Sequence, residues 1–332
     1  MKAVAYRANE ALSDVELPTP VATGRDLLVE VKAISVNPVD TKVRRNVTPA
    51  AGELKVLGWD AAGIVRAVGP DVTLFKPGDA VWYAGDLTRP GTNAELHLVD
   101  ERIVGHKPAA LGFAEAAALP LTAITAWEML FDRLGVSRDA GREQGKALLV
   151  TGAAGGVGSI LVQLARQLTG LTVIGTASRP ATADWVRSLG AHHVIDHSKP
   201  LAEEVRRLGL PSIDYVASLT HTDQHFAALA EVIAPQGKLV LIDDPEAIDV
   251  RLLKLKSVSL HWEMMFTRSM FKTADMAQQH ALLNDVARLV DSGVLKTTLG
   301  ERFGKINAAN LQRAHALLES NRALGKLVLE GF

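Results

Sequence analysis

Residues 147–158 read Ala-Leu-Leu-Val-Thr-Gly-Ala-Ala-Gly-Gly-Val-Gly, an apolar, β-rich run that collapses into glycines. A helix-patterned segment follows at once, with Val157, Ile160, Leu161, Leu164, Ala165 and Leu168 on one face at i, i+3, i+4 spacing. A strand, a tight turn and a helix N-terminus in that order offer phosphate both unpaired N–H groups and the positive end of a helix dipole. That is the design of a dinucleotide pyrophosphate site. The fingerprint is Ala153-x-Gly155-x-x-Gly158, with Gly156 and Val157 between and alanine where the first glycine usually sits. Gly155 lets the backbone approach the pyrophosphate, and Gly158 lets the helix lie close to the strand. The alternative is a turn that needs only flexibility.

The residues about twenty positions on bear on which dinucleotide. A second β-rich run, Leu171–Thr176, ends at Ala177-Ser178-Arg179. NAD-selecting folds carry an acid near this point, which accepts from the ribose hydroxyls and repels a 2′-phosphate. Here Ser178 supplies a hydroxyl and Arg179 a planar fork of donors, which favours NADPH. A solvated loop cation is the alternative for Arg179, and Asp184 would oppose a phosphate if it pointed inward. Ile242 and Asp243, at the end of a later strand, complete the expected cofactor-binding set.

The elements that must position these residues fall into two patterns. Residues 1–125 are β-rich and turn-punctuated: Leu27–Ile34, Gly63–Val68 and Ala80–Trp82 are strand-like, with turns at Gly69-Pro70-Asp71 and Lys76-Pro77-Gly78-Asp79. From 126 to 264 strands alternate with helices, and runs at 147–151, 171–176, 192–195, 213–217, 238–242 and 257–262 predict a six-stranded parallel sheet. Two amphipathic helices follow. One carries Leu282, Leu283, Val286, Leu289 and Val290; the other starts at an Asn307 N-cap and carries Leu311, Ala314, Leu317 and Leu318. A closing strand, Lys326–Leu329, is expected to return to the first domain.

With 332 residues the chain is long enough for two cores, and its net charge of −1 argues against nucleic acid or an anionic membrane as partner. It lacks the basic stripe that nucleic-acid binding wants. The start, Met1-Lys2-Ala3-Val4-Ala5-Tyr6, shows no apolar signal region and no stretch approaches a membrane span, so a cytoplasmic enzyme is expected. Cysteine is absent, which removes disulfides, thiolate ligands and thiol nucleophiles.

Nearly the whole chain resembles the medium-chain dehydrogenase/reductase superfamily. Gly69-Pro70, Lys76-Pro77-Gly78-Asp79-Ala80-Val81, Gly58-Trp59-Asp60-Ala61-Ala62-Gly63, the Ala153–Gly158 turn and Leu189-Gly190-Ala191 carry the resemblance. Within it, Asn37-Pro38-Val39-Asp40 and Leu119-Pro120-Leu121-Thr122-Ala123 are similar to the quinone oxidoreductase branch. The stretches 260–269 and 325–332 are similar to the group labelled zinc-type alcohol dehydrogenase-like. The resemblance implies an α/β fold: a Rossmann NADPH-binding domain with a six-stranded parallel sheet at 126–264, and a β-rich GroES-like catalytic domain at 1–125 and 265–332. It also implies a homodimer joined through the sixth strand, Val258–Trp262, whose bare edge would be a liability in a monomer.

The label and the residues then part company. Zinc-using relatives bind a catalytic zinc through Cys, His and a further Cys or Asp. The matching positions here are Asn37, Trp59 and about Leu121, which make no zinc site; only Asp60, matching the motif's Glu, could touch a metal. The cysteine-rich lobe for a structural zinc is missing too. Among ten histidines, His221 and His225 share an i, i+4 spacing and His192, His193 and His197 cluster, with Asp223 and Asp196 near. With no further ligand array they read as surface or sheet-edge residues, so no metal site is expected.

Without a Lewis acid, oxidising a simple alcohol is hard, whereas a quinone or α,β-unsaturated carbonyl takes hydride at carbon and spreads the charge onto oxygen. The expected activity is therefore NADPH-dependent, zinc-independent reduction of such a small-molecule acceptor. The resemblance points to a cleft containing six candidates. Asn37 would donate an amide N–H to the acceptor oxygen, or form a turn before Pro38; Asp40 would orient neighbours or cap a helix. Trp59 would floor an aromatic pocket or simply pack. Thr125 would bind the nicotinamide or its ribose, or be a helix-interior hydroxyl. Phe266 would shield the ring, and Arg268 would contact substrate or diphosphate, unless both serve packing. Lys42 and Arg44 read as solvated cations, and no hydrolytic triad stands out. Two rivals remain open: a zinc alcohol dehydrogenase, and a non-catalytic NADPH-binding sensor or structural protein.

Overall fold

A computed structural model describes residues 1–210 and 213–332. The chain divides into two compact units, one of residues 1–124 with 266–332 and one of residues 125–265.

The first unit is built on a seven-stranded sheet, mostly antiparallel, that centres on the long strand Asp26–Val36. On one side it pairs with the closing strand Lys326–Glu330, on the other with Asp60–Val68, and it also pairs with Leu96–Asp100. The turn expected at Lys76–Asp79 forms as Gly78 takes φ +97°, a conformation only glycine adopts cheaply, and the Asp79 N–H donates to the Lys76 carbonyl. The strand Asp60–Val68 starts three residues before the expected Gly63, so Asp60 lies in the sheet, paired with Ser35 and Ala84. The helices Gln278–Asp291 and Ala308–Glu319 bury Leu282, Leu283, Val286 and Val290, and Leu311 and Ala314, respectively. The second is capped by the Asn307 side chain, which accepts from the Asn310 N–H at 2.9 Å.

The second unit is a doubly wound α/β layer. Its six-stranded parallel sheet runs, across the sheet, His193–Ile195, Thr172–Thr176, Ala147–Val150, Ile213–Ser218, Ile233–Leu241 and Ser259–Trp262. Numbered along the chain this is the order 3-2-1-4-5-6 of dinucleotide-binding sheets. The fully buried run Ala147–Val150 forms its middle, and Leu149, Ile174, Val216, Leu239 and Leu241 pack on Phe226, Leu229 and Val205. Two strand starts differ from the sequence pattern by more than one residue. The fifth strand begins at Ile233 rather than 238, because Gln236 at φ +63° makes a bulge that the pattern reads as a turn. The sixth begins at Ser259, because a 3₁₀ turn over Val250–Lys256 ends at Ser257 with φ +52°. No helix of the described residues is long and apolar enough to cross a membrane.

Candidate functional site

In the second unit the glycine turn follows the middle strand. The helix Gly156–Leu168 starts directly after Gly155, and its first amides have no carbonyl one turn back to donate to. The two fingerprint glycines serve different ends. A Cβ on Gly158 would lie 2.6 Å from the Cα and carbonyl oxygen of Ala153, so that glycine is needed for the helix to pack on the turn. A Cβ on Gly155 would meet only the Gly152 carbonyl at 3.4 Å. Its bareness is not needed for protein packing and leaves room for a ligand. Ala153 is fully buried and replaces the first glycine without strain because its methyl faces Gly175, where any Cβ would lie 2.9 Å away. This cradle fits a diphosphate.

Ser178 and Arg179 are exposed just past the second strand, and among the described residues no carboxylate pairs with the Arg179 guanidinium. Asp184 lies on the following helix and is bound by Arg187 at 2.9 Å, with its side chain largely in solvent. Ile242 and Asp243 follow the fifth strand, and the Asp243 carboxylate accepts from both the N–H and the hydroxyl of Thr222, capping the helix Thr222–Val232. The Asp243 oxygens therefore hold a helix start.

In the first unit Asn37 and Asp60 lie in a buried polar cluster with Ser35 and Lys326. The Asp60 Oδ2 atom accepts from the Ser35 hydroxyl at 3.0 Å, the Asn37 side-chain amide at 2.8 Å and the Lys326 ammonium at 3.0 Å; Oδ1 accepts from the Leu121 N–H at 2.8 Å. The ammonium also donates to the Val36 carbonyl at 3.0 Å and to Asn37 Oδ1. The second Asn37 amide hydrogen goes to the Ser35 carbonyl at 3.3 Å. Both hydrogens are thus engaged within the protein. Asp40 accepts the Asn37 N–H at 2.5 Å and so closes the first turn of the helix Pro38–Asn46. Burial pushes its carboxyl up to about 7, against the Asn37 hydrogen bond and the Lys326 charge. Its other oxygen has no partner among the described residues.

Trp59 and Phe266 are buried and meet edge to face, ring centres 6.3 Å apart, and the indole N–H donates to the Asp86 carbonyl at 3.1 Å. Arg268 binds Asp275 at 3.0 Å, so its charge is already engaged by a neighbouring carboxylate. Thr125 is buried in the helix Pro120–Trp127. Arg44, read as solvated, instead bridges His315 at 3.1 Å and Glu319 at 2.9 Å. His197 and His225 approach ring to ring at 6.2 Å, and among the described residues no three His, Asp or Glu converge as metal ligands. Sequence reasoning missed Lys326. It heads an apolar strand, Lys-Leu-Val-Leu, whose residues are all buried, so alternation gives no hint that the lysine points inward.

Residues 189–329 match the family described as zinc-binding dehydrogenase, and residues 23–127 the alcohol dehydrogenase GroES-like domain. The chain is 43% identical to a zinc-type alcohol dehydrogenase-like protein of Staphylococcus aureus, over 94% of this chain and 92% of that one. Among solved structures it is similar to one from Rhizobium etli described as a zinc-dependent alcohol dehydrogenase protein, at 62% identity and TM-score 0.96, covering 100% of this chain and 98% of the other. It is also similar to the quinone oxidoreductase of Escherichia coli complexed with NADPH, at 25% identity and TM-score 0.84, covering 99% and 100%.

Proposed function

The chain belongs to the medium-chain dehydrogenase/reductase superfamily of oxidoreductases, and from that premise we propose that it is an NADPH-dependent, zinc-independent reductase of quinones or α,β-unsaturated carbonyls. One observation carries the reading. The positions that the resemblance matches to the zinc ligands are Asn37, Trp59 and about Leu121. Their polar atoms are taken by Asp60, Ser35, Lys326 and Asp86. These residues do not fit zinc.

When bound, NADPH supplies the hydride. The first amides of the helix Gly156–Leu168 hold its diphosphate and Gly155 gives it room. Ser178 and Arg179 receive the ribose phosphate; no acid stands at the strand end to repel it. The Trp59–Phe266 pair gives a planar acceptor an apolar wall that keeps water from its reacting carbon. The acceptor's own conjugation spreads the negative charge to oxygen, which takes a proton from solvent, so positioning stands in for a Lewis acid.

The test is NADPH oxidation by chelator-treated protein across quinones, alkenals and simple ketones, repeated with NADH. Turnover of a conjugated acceptor, unaffected by chelation and faster with NADPH, is expected. Turnover of alcohols only after zinc is restored would transfer the protein to the alcohol dehydrogenases. Tight NADPH binding with no turnover of any acceptor would make it a sensor or structural binder.

A further inference from the structure

The Asn37–Asp60 cluster contains a charge that the zinc-free reading alone does not require. Lysine is almost never fully buried unless paired. Lys326 is 3% exposed, and its ammonium is surrounded by three oxygens from two separate stretches of chain: Val36 and Asn37 on one, Asp60 on the other. We infer that this ammonium is the resident cation of the pocket, a side chain of the closing strand standing where the family's metal would stand and holding Asn37 and Asp60 in place. The inference rests on the zinc-free part of the proposed function and is independent of acceptor and cofactor.

Two physical points support it. The donor set is all oxygen, two neutral carbonyls and one carboxylate, which suits a hard monovalent cation and not the nitrogen and sulfur preference of zinc. The carboxylate oxygen that a divalent ion would need already accepts three hydrogen bonds, one from the ammonium itself. A metal would therefore have to displace the Lys326 ammonium from the Asp60 carboxylate. Its reach extends further than the pocket. Asp60 uses its other oxygen to hold the Leu121 N–H at the start of the helix Pro120–Trp127, so removing the cation leaves a buried carboxylate unpaired at that helix start. Lys326 is thus a positioning residue, acting through Asp60 and Asn37.

The experiment compares wild type, K326A, K326M and the double variant D60N/K326M by thermal denaturation, with zinc content measured by atomic absorption. K326A and K326M are expected to lose about 5 °C in Tm, the size expected for a buried charge left unpaired in a chain of this length. Ethylammonium at millimolar concentration, which replaces the truncated end of the side chain, should restore much of the K326A loss; sodium or tetramethylammonium at equal ionic strength should not. D60N/K326M, which removes both charges, should be more stable than K326M and keeps the test usable if the single variants fail to fold. Wild type incubated with zinc and desalted should retain far less than one ion per chain. A K326A variant with wild-type Tm and no ethylammonium response would overturn the inference. So would a double variant no more stable than K326M, or one tightly held zinc in wild type. These readouts need no turnover, so failure of the reductase assay leaves them standing and failure here leaves the acceptor question untouched.

Discussion

At position 40 the chain buries a carboxyl with one oxygen hydrogen-bonded and the other bare. Burial raises its pKa from 3.8 to about 7, which makes it a stability element with a definite sign. Between these values the folded protein holds a proton that the unfolded chain has released. Asp40 therefore stabilises the fold below about pH 4, and that contribution is lost as pH rises through about 7. His97 and His315 run the other way: burial lowers both to about 4, so they cost stability on acidification. D40N isolates the first effect, because the amide oxygen can still accept the Asn37 N–H while nothing titrates. Urea denaturation at a series of pH values should show D40N gaining on wild type from pH 4 to 7, by an amount on the order of 4 kcal/mol. Parallel pH curves would show that Asp40 is ionised throughout.

The strand–turn–helix at 147–168 was legible because each part is local. The apolar run, the glycines and the 3.6-residue period lie within two dozen residues, and backbone geometry follows from them. Less legible was why alanine serves as the first residue of the fingerprint; the answer is Gly175, on the neighbouring strand. The two remaining glycines predict opposite phenotypes. G158A should destabilise the protein by roughly 1–3 kcal/mol, since its methyl meets backbone that cannot turn aside. G155A, at φ −75° with its nearest contact at 3.4 Å, should fold within about 0.5 kcal/mol of wild type. It should nonetheless raise the KM for NADPH, by roughly tenfold if about 1.4 kcal/mol of binding is lost. Denaturation and steady-state kinetics on the pair separate packing from ligand room; equal losses in both assays would refute the division. Strand starts at Ile233 and Ser259 escaped the sequence pattern because positive φ at Gln236 and Ser257, non-glycine residues, carries no compositional mark.

On the scale of the whole molecule, the sheet of the second unit ends in the strand Ser259–Trp262, paired on one side only among the described residues. Around that edge, Trp262 is 54% exposed and Leu255 95%, with Met264 and Leu252 also in solvent. An apolar patch beside a bare strand edge is an association surface, and we propose that two copies join there, edge to edge. Light scattering should give twice 35.5 kDa at micromolar concentration, and W262E should shift it to one chain. A wild-type monomer would remove the dimer.

Composition, glycine spacing and hydrophobic period by themselves determined the α/β class, the six parallel strands, the dinucleotide turn and the lack of cysteine ligands. All of these are properties of residues near one another in the chain or of residue type alone. Only the tertiary structure decided what the polar residues do. Asn37, Asp60 and Lys326 meet across separations of up to 289 residues, and in meeting they commit both Asn37 amide hydrogens and bury an ammonium against a carboxylate. A side chain's hydrogen-bond partner and its distance from water are set by packing between remote segments, and no local pattern records them.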